Sequence, residues 1–191
     1  MSSVKGTQTE KNLLAAFAGE SQARTRYYVF AERAREEGYE QIAGIFMETA
    51  ENEREHAKRY FSYLEGGDLE IQAAYPAGIV GPTVENLKAA AAGENLEHTS
   101  LYPGFGEVAL QEGFQAIGNL FNRVAEVEVW HEKRYLKLME NLNNGAVFKK
   151  SRPVLWKCIN CGRVHEGTEA PPKCPTCLKP QAWFMLYDES F

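Results

Sequence analysis

Apolar side chains recur at steps of three and four residues along four stretches of the chain, all of which end before Gly145. Such steps are the spacing of one face of an α-helix. The pattern predicts helices over 8–37, 39–65, 83–112 and 114–143. Polar residues interrupt each apolar stripe near its middle, so we expect them to meet at one level of a helical bundle. The first stripe runs through Leu13, Phe17, Glu20, Arg24, Tyr27 and Ala31, and the third through Leu87, Ala90, Glu94, Glu97 and Leu101.

The helical region contains an internal repeat. The segment Ala18-Gly19-Glu20 recurs as Ala92-Gly93-Glu94, and His56-Ala57-Lys58-Arg59-Tyr60 recurs as His131-Glu132-Lys133-Arg134-Tyr135. The second pair of segments is one position further apart than the first, and so is the pair formed by 36–42 and 111–117. The second half has therefore gained one residue between Glu94 and Gln111. Because Pro103 and Gly104 lie in that interval, we expect a local break or a π-bulge in the third helix.

The stretch over 66–82 separates the two halves and carries glycine or proline at both ends. Fully extended, it spans at most about 55 Å, which is enough to run along a helix of about 40 Å. Gly38 and Gly113 instead indicate tight turns within each half. Two equivalent helical hairpins joined by one long crossover predict an all-α four-helix bundle with ferritin-like topology.

Each half contains one Glu-x-x-His motif, Glu53–His56 and Glu128–His131, inside an apolar stripe. Side chains three positions apart on a helix point the same way, so each pair can bind one metal ion. A lone motif of this kind is usually part of a solvated face, but duplication at matched spacing favours a dinuclear site. Single glutamates from the other two helices would complete it. The candidate ligands are Glu20, Glu53, His56, Glu94, Glu97, Glu128 and His131.

For several residues near the candidate ligands, the sequence indicates a role at the metal site less clearly. Tyr27 and Tyr102 fall near the polar level, where each phenol either donates to a ligand carboxylate or only fills core volume. Glu97 has no glutamate counterpart in the first half, so the site is expected to be asymmetric. Four further glutamates and one histidine lie off the stripes and are expected at the surface: Glu51, Glu55, Glu126, Glu132 and His98.

All four cysteines lie near the C-terminus, in two Cys-x-x-Cys pairs: Cys158, Cys161, Cys174 and Cys177. This clustering indicates a tetrahedral four-thiolate metal site rather than a disulfide framework. The spacing alone does not choose between iron and zinc. Trp156, Trp183 and Phe184 are expected to pack over the site. A nearby redox-active bundle favours iron, because such a bundle needs a one-electron carrier.

Charge and hydropathy exclude several other classes of function. The net charge is −5 and no long basic run occurs, so the sequence does not indicate binding to nucleic acid or to anionic lipid. No stretch approaches the roughly 18 apolar residues of a membrane span, and the first residues lack the apolar core of a signal peptide. We expect a cytoplasmic location.

These residues resemble the rubrerythrin family along nearly the whole chain and in the same order. The helical pattern stops near Gly145, and the sequence predicts a linker at 148–152. The resemblance implies a di-iron bundle at 1–147 before the linker and a rubredoxin-like Fe–S₄ domain at 153–191 after it. It further implies a homodimeric peroxide reductase that protects against oxidative stress. The Fe–S₄ domain of one subunit would serve the other subunit's di-iron site, with rubredoxin or a flavoprotein NADH reductase as the external electron donor.

Two other functions stay open at this point. One is a ferroxidase or iron-storage protein, for which iron itself is the substrate. The other is a zinc-ribbon interaction module on a metal-stabilised bundle. For the di-iron case we also expect one iron to exchange ligands with redox state. The anionic Glu97 would favour the ferric ion, and the neutral His56 would suffice for the ferrous ion.

Overall fold

The computed structural model of the chain describes residues 2–188, which form a four-helix bundle followed by a small three-stranded sheet. The third bundle helix is built from two α-helical pieces around a π-helical segment. The elements of the bundle are α1 (Gln8–Glu36), α2 (Glu40–Phe61), α3 (Thr83–Leu96), the π segment (Glu97–Leu101), α4 (Tyr102–Gln111) and α5 (Gln115–Asn143). None of these helices is long and apolar enough to cross a membrane.

The predicted helices match the observed ones except at two places. The second helix ends at Phe61 rather than at residue 65, because the chain turns through Tyr63 and Leu64. The third is interrupted where the second half of the repeat has its extra residue, so the expected π-bulge is confirmed. In α1 the stripe position predicted for Arg24 belongs to the buried Ala23, while Arg24 is half exposed and pairs with Glu51.

Two symmetrical contacts fasten the hairpins to each other. Glu37, just after α1, accepts a hydrogen bond from the backbone N–H of Thr83 at the start of α3. Its repeat counterpart Glu112, just after α4, accepts from the backbone N–H groups of Gln8 and Thr9 at the start of α1. A carboxylate at a helix N-terminus satisfies free N–H groups and complements the helix dipole. Each hairpin thus caps the first helix of the other.

The core consists of two aromatic-rich clusters, one on each side of the polar level. One includes Tyr27, Phe46 and Tyr135, and the other includes Tyr60 and Phe121, all almost fully buried. Burial of a large apolar side chain contributes about 1.5–3 kcal/mol, so these two layers hold the polar level rigidly between them. The ligand side chains therefore lie on helices that are packed above and below the site.

The crossover over 66–82 runs along the outside of the bundle. Most of its residues are exposed, and it is anchored by Tyr75, whose hydroxyl donates to the carbonyl of Ala15 on α1. The crossover joins two hairpins of up-down topology, which is the ferritin-like arrangement expected from the sequence.

The C-terminal part is a sheet of order β2-β1-β3, with β1 (Lys149–Cys158), β2 (Val164–Glu169) and β3 (Phe184–Leu186). The sequence predicts a linker over 148–152, but Lys149 begins β1 and pairs with Glu169 of β2. Strand pairing between distant residues thus shortens the linker. The sheet packs on the end of the bundle, where Phe148 stacks on Tyr39 at 6.2 Å between ring centroids.

Candidate metal centres

The two Glu-x-x-His motifs face each other across the middle of the bundle, and their glutamates are shared between the histidines. Glu53 places one oxygen 2.9 Å from His56 Nδ1 and the other 3.1 Å from His131 Nδ1. Glu128 does the same, at 3.0 Å from His56 Nδ1 and 2.6 Å from His131 Nδ1. The two imidazole rings lie 6.1 Å apart between centroids. Each of these two carboxylates therefore spans two adjacent ligand positions.

One further glutamate extends each half of this arrangement. Glu20 on α1 lies 3.9 Å from His56 Nδ1, and Glu94 on α3 lies 3.7 Å from His131 Nδ1. The ligand atoms fall into two groups of four, each with all atoms within 4.8 Å of one another. One group comprises Glu20, Glu53, His56 and Glu128, and the other comprises Glu53, Glu94, Glu128 and His131.

Tyrosines from opposite halves hold the two unshared carboxylates. The Tyr27 hydroxyl donates to Glu94 Oε1, and the Tyr102 hydroxyl donates to Glu20 Oε1 at 2.5 Å. Tyr27 lies seven positions after Glu20 and Tyr102 lies eight after Glu94, yet both phenols reach the equivalent place because the π segment absorbs the extra residue. Both tyrosines thus donate to a candidate ligand rather than only filling volume.

Burial and mutual contact strongly shift the acid–base behaviour of these groups. Burial raises the pKa of Glu53, but the adjacent imidazole rings of His131 and His56 outweigh burial and lower that pKa to about 2. Burial lowers the pKa of each histidine, but their carboxylate partners raise it to about 9 for His56 and to about 12 for His131. Burial and the nearby Glu53 charge raise the pKa of Glu94 to about 8. Without a metal ion, the carboxylates thus favour the protonated form of both histidines, and the charge of Glu53 favours the protonated form of Glu94.

The donor atoms fit two metal ions. Six buried atoms of the site have no geometrically acceptable hydrogen bond within residues 2–188, and all belong to candidate ligands: Glu20 Oε2, Glu53 Oε1, Glu94 Oε2, both carboxylate oxygens of Glu128, and His131 Nδ1. An uncompensated buried carboxylate costs several kcal/mol. Two divalent cations would neutralise the four buried carboxylates and occupy the orphaned atoms.

Glu97 is the one candidate ligand that falls in neither group of four. It is the first residue of the π segment and is only partly buried. Burial and the negative charge of Glu94 raise the pKa of Glu97 well above its usual value, so Glu97 interacts electrostatically with the site. The structure therefore places His56, and not Glu97, among the close ligands.

Sequence reasoning missed the residues that surround the site. Asn52 Oδ1 lies 3.3 Å from His131 Nε2, on the side of the ring away from the carboxylates. His98 and Glu132, both expected at the surface, are half-buried and pair with each other at 2.6 Å, which fastens the π segment to α5. The repeat does contain a signal for the Asn52 contact. The equivalent position in the second half holds Val127, so the two halves differ there by a polar and an apolar residue.

The four cysteines converge in the C-terminal sheet. Cys158 and Cys177 Sγ atoms lie 3.6 Å apart, as do those of Cys161 and Cys174. Bonds of about 2.3 Å in a tetrahedral site place the sulfur atoms roughly 3.8 Å apart, so the thiols are already spaced for one ion. Cys161 is exposed, whereas Cys158 and Cys174 are buried.

The two cysteine loops have the same backbone geometry. The N–H of Cys158 donates to the Arg163 carbonyl, and that of Cys174 donates to the Lys179 carbonyl, both at 2.8 Å. The fourth residue after each of these cysteines has a positive φ, 77° at Gly162 and 62° at Leu178. Trp156 and Phe184 are buried with the cysteines and Trp183 packs beside them, as the sequence predicts.

Comparison with known proteins agrees with both centres. Residues 11–139 match the family described as Rubrerythrin, and residues 156–185 match the family described as Rubrerythrin, rubredoxin-like domain. The chain belongs to the rubrerythrin family. Rubrerythrin of Porphyromonas gingivalis is 59% identical over 95% of this chain and 91% of its own length. Rubrerythrin of Nitratidesulfovibrio vulgaris is 54% identical over 97% of both chains.

A solved structure of a rubrerythrin relative shares the whole architecture. Nigerythrin in its fully reduced, all-ferrous state is 33% identical, covers 97% of this chain and 92% of its own, and superposes with a TM-score of 0.63. Membership of the rubrerythrin family makes the bundle centre a di-iron site and the four-cysteine centre a rubredoxin-like site.

Proposed function

We propose that this chain reduces hydrogen peroxide to water at the di-iron site of the bundle, with electrons delivered through an iron held by the four cysteines. The observation that carries the proposal is the pairing, in one chain, of a two-ion carboxylate site with a four-thiol site. Peroxide takes up two electrons and two protons to become two water molecules. The bundle centre is the place of reaction, and the four-cysteine centre delivers the electrons one at a time.

The proposed ligands are the six residues of the two groups of four, with Glu97 as an additional ligand. Iron bound by these residues would supply two electrons and Lewis acidity toward the O–O bond. The chain's own contribution is to hold the ligands in place. Tyr102 keeps its proton on Oη and donates a hydrogen bond to Glu20 Oε1, which leaves Oε2 of that carboxylate free to bind a metal ion. Tyr27 does the same for Glu94.

The proposed electron path enters through the cysteine site. Because Cys161 is exposed, one edge of that site reaches the surface, where an external donor can approach. Rubredoxin or a flavoprotein NADH reductase is the proposed donor. We also propose the functional division 1–147 for the bundle and 153–191 for the electron-transfer unit, of which the last three residues lie outside the described part of the chain.

A single substitution separates the two roles. Cys158→Ser removes one thiolate, so the protein should lose its visible Fe–S₄ colour and at least about 100-fold of its donor-driven peroxide turnover. The chemically reduced bundle should still react once with peroxide. Absorbance spectra and stopped-flow mixing without oxygen measure both effects.

Ile159→Ser is the matched control, because Ile159 is a half-exposed neighbour of Cys158 and carries no ligand atom. It should keep both colour and turnover. Normal donor-driven turnover in Cys158→Ser would rule out electron entry through the cysteines. Net mineralisation of added iron, with no peroxide consumed, would instead favour the ferroxidase or iron-storage function.

A further inference from the structure

The two histidines of the di-iron site differ in what holds the ring nitrogen that faces away from the carboxylates. Nδ1 points to the glutamates in both. His131 Nε2 lies 3.3 Å from the amide oxygen of Asn52, whereas no side chain or backbone group within residues 2–188 hydrogen-bonds to His56 Nε2. The His131 side chain is 3% exposed and that of His56 is 14% exposed.

The internal repeat explains this difference. Asn52 on α2 reaches across the seam to His131 on α5, so the symmetrical contact would run from residue 127 on α5 to His56 on α2. That position is Val127, whose isopropyl group accepts no hydrogen bond. The two halves of the site thus share their ligands but not this outer contact.

The chemistry of imidazole gives the contact a consequence. A neutral histidine that binds a metal through Nδ1 carries its proton on Nε2, and an acceptor at Nε2 selects that tautomer and fixes the ring orientation. Loss of such an outer partner commonly weakens metal binding by about 10-fold to 100-fold.

We propose that Asn52 is a positioning residue that makes His131 the fixed nitrogen ligand of the pair. Its amide oxygen accepts the Nε2 proton and holds Nδ1 toward Glu53 and Glu128. His56 has the same carboxylate contacts at Nδ1 but no equivalent partner at Nε2, so its ring is held from one side only.

The test uses the full chain loaded with cobalt(II), which shifts the N–H proton of each metal-bound histidine to its own NMR signal. Only the bundle contributes such signals, because the other centre has cysteine ligands alone. In the unmodified protein we expect one slowly exchanging N–H proton, from His131, and one exchanging with water at least about tenfold faster, from His56. Single replacements of His56 and His131 assign the signals.

Variants at the two equivalent positions then test the cause. Asn52→Val should speed exchange at His131 to the rate of His56 and lower by about 10-fold to 100-fold the chelator concentration that removes cobalt from the bundle. Asn52→Gln, which keeps an amide, should restore part of both. Val127→Ala is the matched control and should change neither property of His131.

Equal exchange rates for the two histidines in the unmodified protein would overturn the proposal, as would an Asn52→Val protein with unchanged exchange and affinity. If Asn52→Val does not fold, the rates in the unmodified protein and in Asn52→Gln decide. No measurement here involves peroxide. A protein that gave the expected cobalt spectra but did not reduce peroxide would overturn the proposed function and leave the role of Asn52 intact.

Discussion

The Tyr102 hydroxyl at the di-iron site can be tested individually because the chain contains a matched control. Tyr102 donates to Glu20, whereas the hydroxyl of the equally buried Tyr60 makes no hydrogen bond within residues 2–188. Tyr102→Phe should preserve the fold but weaken ferrous binding by about tenfold, because Glu20 loses the donor that orients it. Competition with a chelator measures the affinity.

Tyr60→Phe is the control for lost packing. Removal of a buried hydroxyl without a partner should leave iron affinity unchanged and the free energy of unfolding equal or slightly higher. Equal losses of affinity in the two variants would mean that the Tyr102 hydrogen bond has no special role.

Glu97 is the residue for which charge makes the clearest prediction. The four buried carboxylates balance two ferrous ions, but two ferric ions carry two more positive charges. Glu97 lies next to the site and outside both ligand groups, so it is placed to supply part of the difference. Glu97→Ala should therefore slow oxidation of the reduced site by peroxide about tenfold or more, and weaken ferrous binding much less.

Single-turnover absorbance and ferrous titration measure these two effects, with the exposed Glu107→Ala as a control that removes the same charge elsewhere. The exchange of His56 for Glu97 stays a prediction. Crystal structures of the oxidised and reduced protein with identical contacts at both residues would contradict it.

The π segment decides how the second hairpin presents its side chains. One extra residue in a regular helix rotates everything beyond it by about 100°, which would carry Tyr102 away from Glu20. The π segment absorbs that residue, so α3 and α4 both keep their buried faces toward the core. Glu97, at its first position, is the ligand candidate without a counterpart in the first half.

Deletion of a single residue tests this account. Removal of the exposed Ser100 should turn the π segment into a regular helix like α1, so the protein should still fold and bind two metal ions per bundle. Removal of the exposed Ala92 should instead shift Leu87 and Ala90 out of the core and cost at least about 3 kcal/mol. Thermal unfolding and metal analysis distinguish the two. A Ser100 deletion as damaging as the Ala92 deletion would refute the account.

The placement of the cysteine centre bears on how two chains cooperate. The C-terminal sheet packs at the end of the bundle where α1 turns into α2, next to Gly38 and Tyr39. Glu53 lies about 13 residues along α2 from its start, which corresponds to about 20 Å. This separation is long for efficient electron transfer within one chain, so we predict that the cysteine centre of one subunit serves the bundle of another in a homodimer.

Mixed subunits test that prediction. Chains carrying Cys158→Ser and chains carrying Glu128→Ala should each be inactive with the external donor. A heterodimer of the two holds one intact pair of centres and should recover up to about half of the activity of an unmodified dimer. Peroxide consumption measured after subunit exchange provides the readout. No recovery, with exchange verified by mass spectrometry, would argue for transfer within one chain.

The amino-acid sequence alone determined the features that depend on local spacing. Helical periodicity predicted the helices to within one residue except at the end of α2 and the interruption of the third helix, because burial of one face requires steps of three and four residues. The Glu-x-x-His pairs and the Cys-x-x-Cys pairs were likewise visible, since neighbours on one turn or loop bind one ion. The one-residue offset between the halves predicted the π segment.

Only the tertiary structure decided how these parts meet. Which carboxylates span both ion positions, which tyrosine donates to which glutamate, and which histidine has an amide partner all depend on contacts between residues more than 60 positions apart. Lys149 belongs to a strand because Glu169 pairs with it, and not because of its neighbours. Such contacts arise when the two hairpins pack together, so the periodicity of one helix carries no record of them.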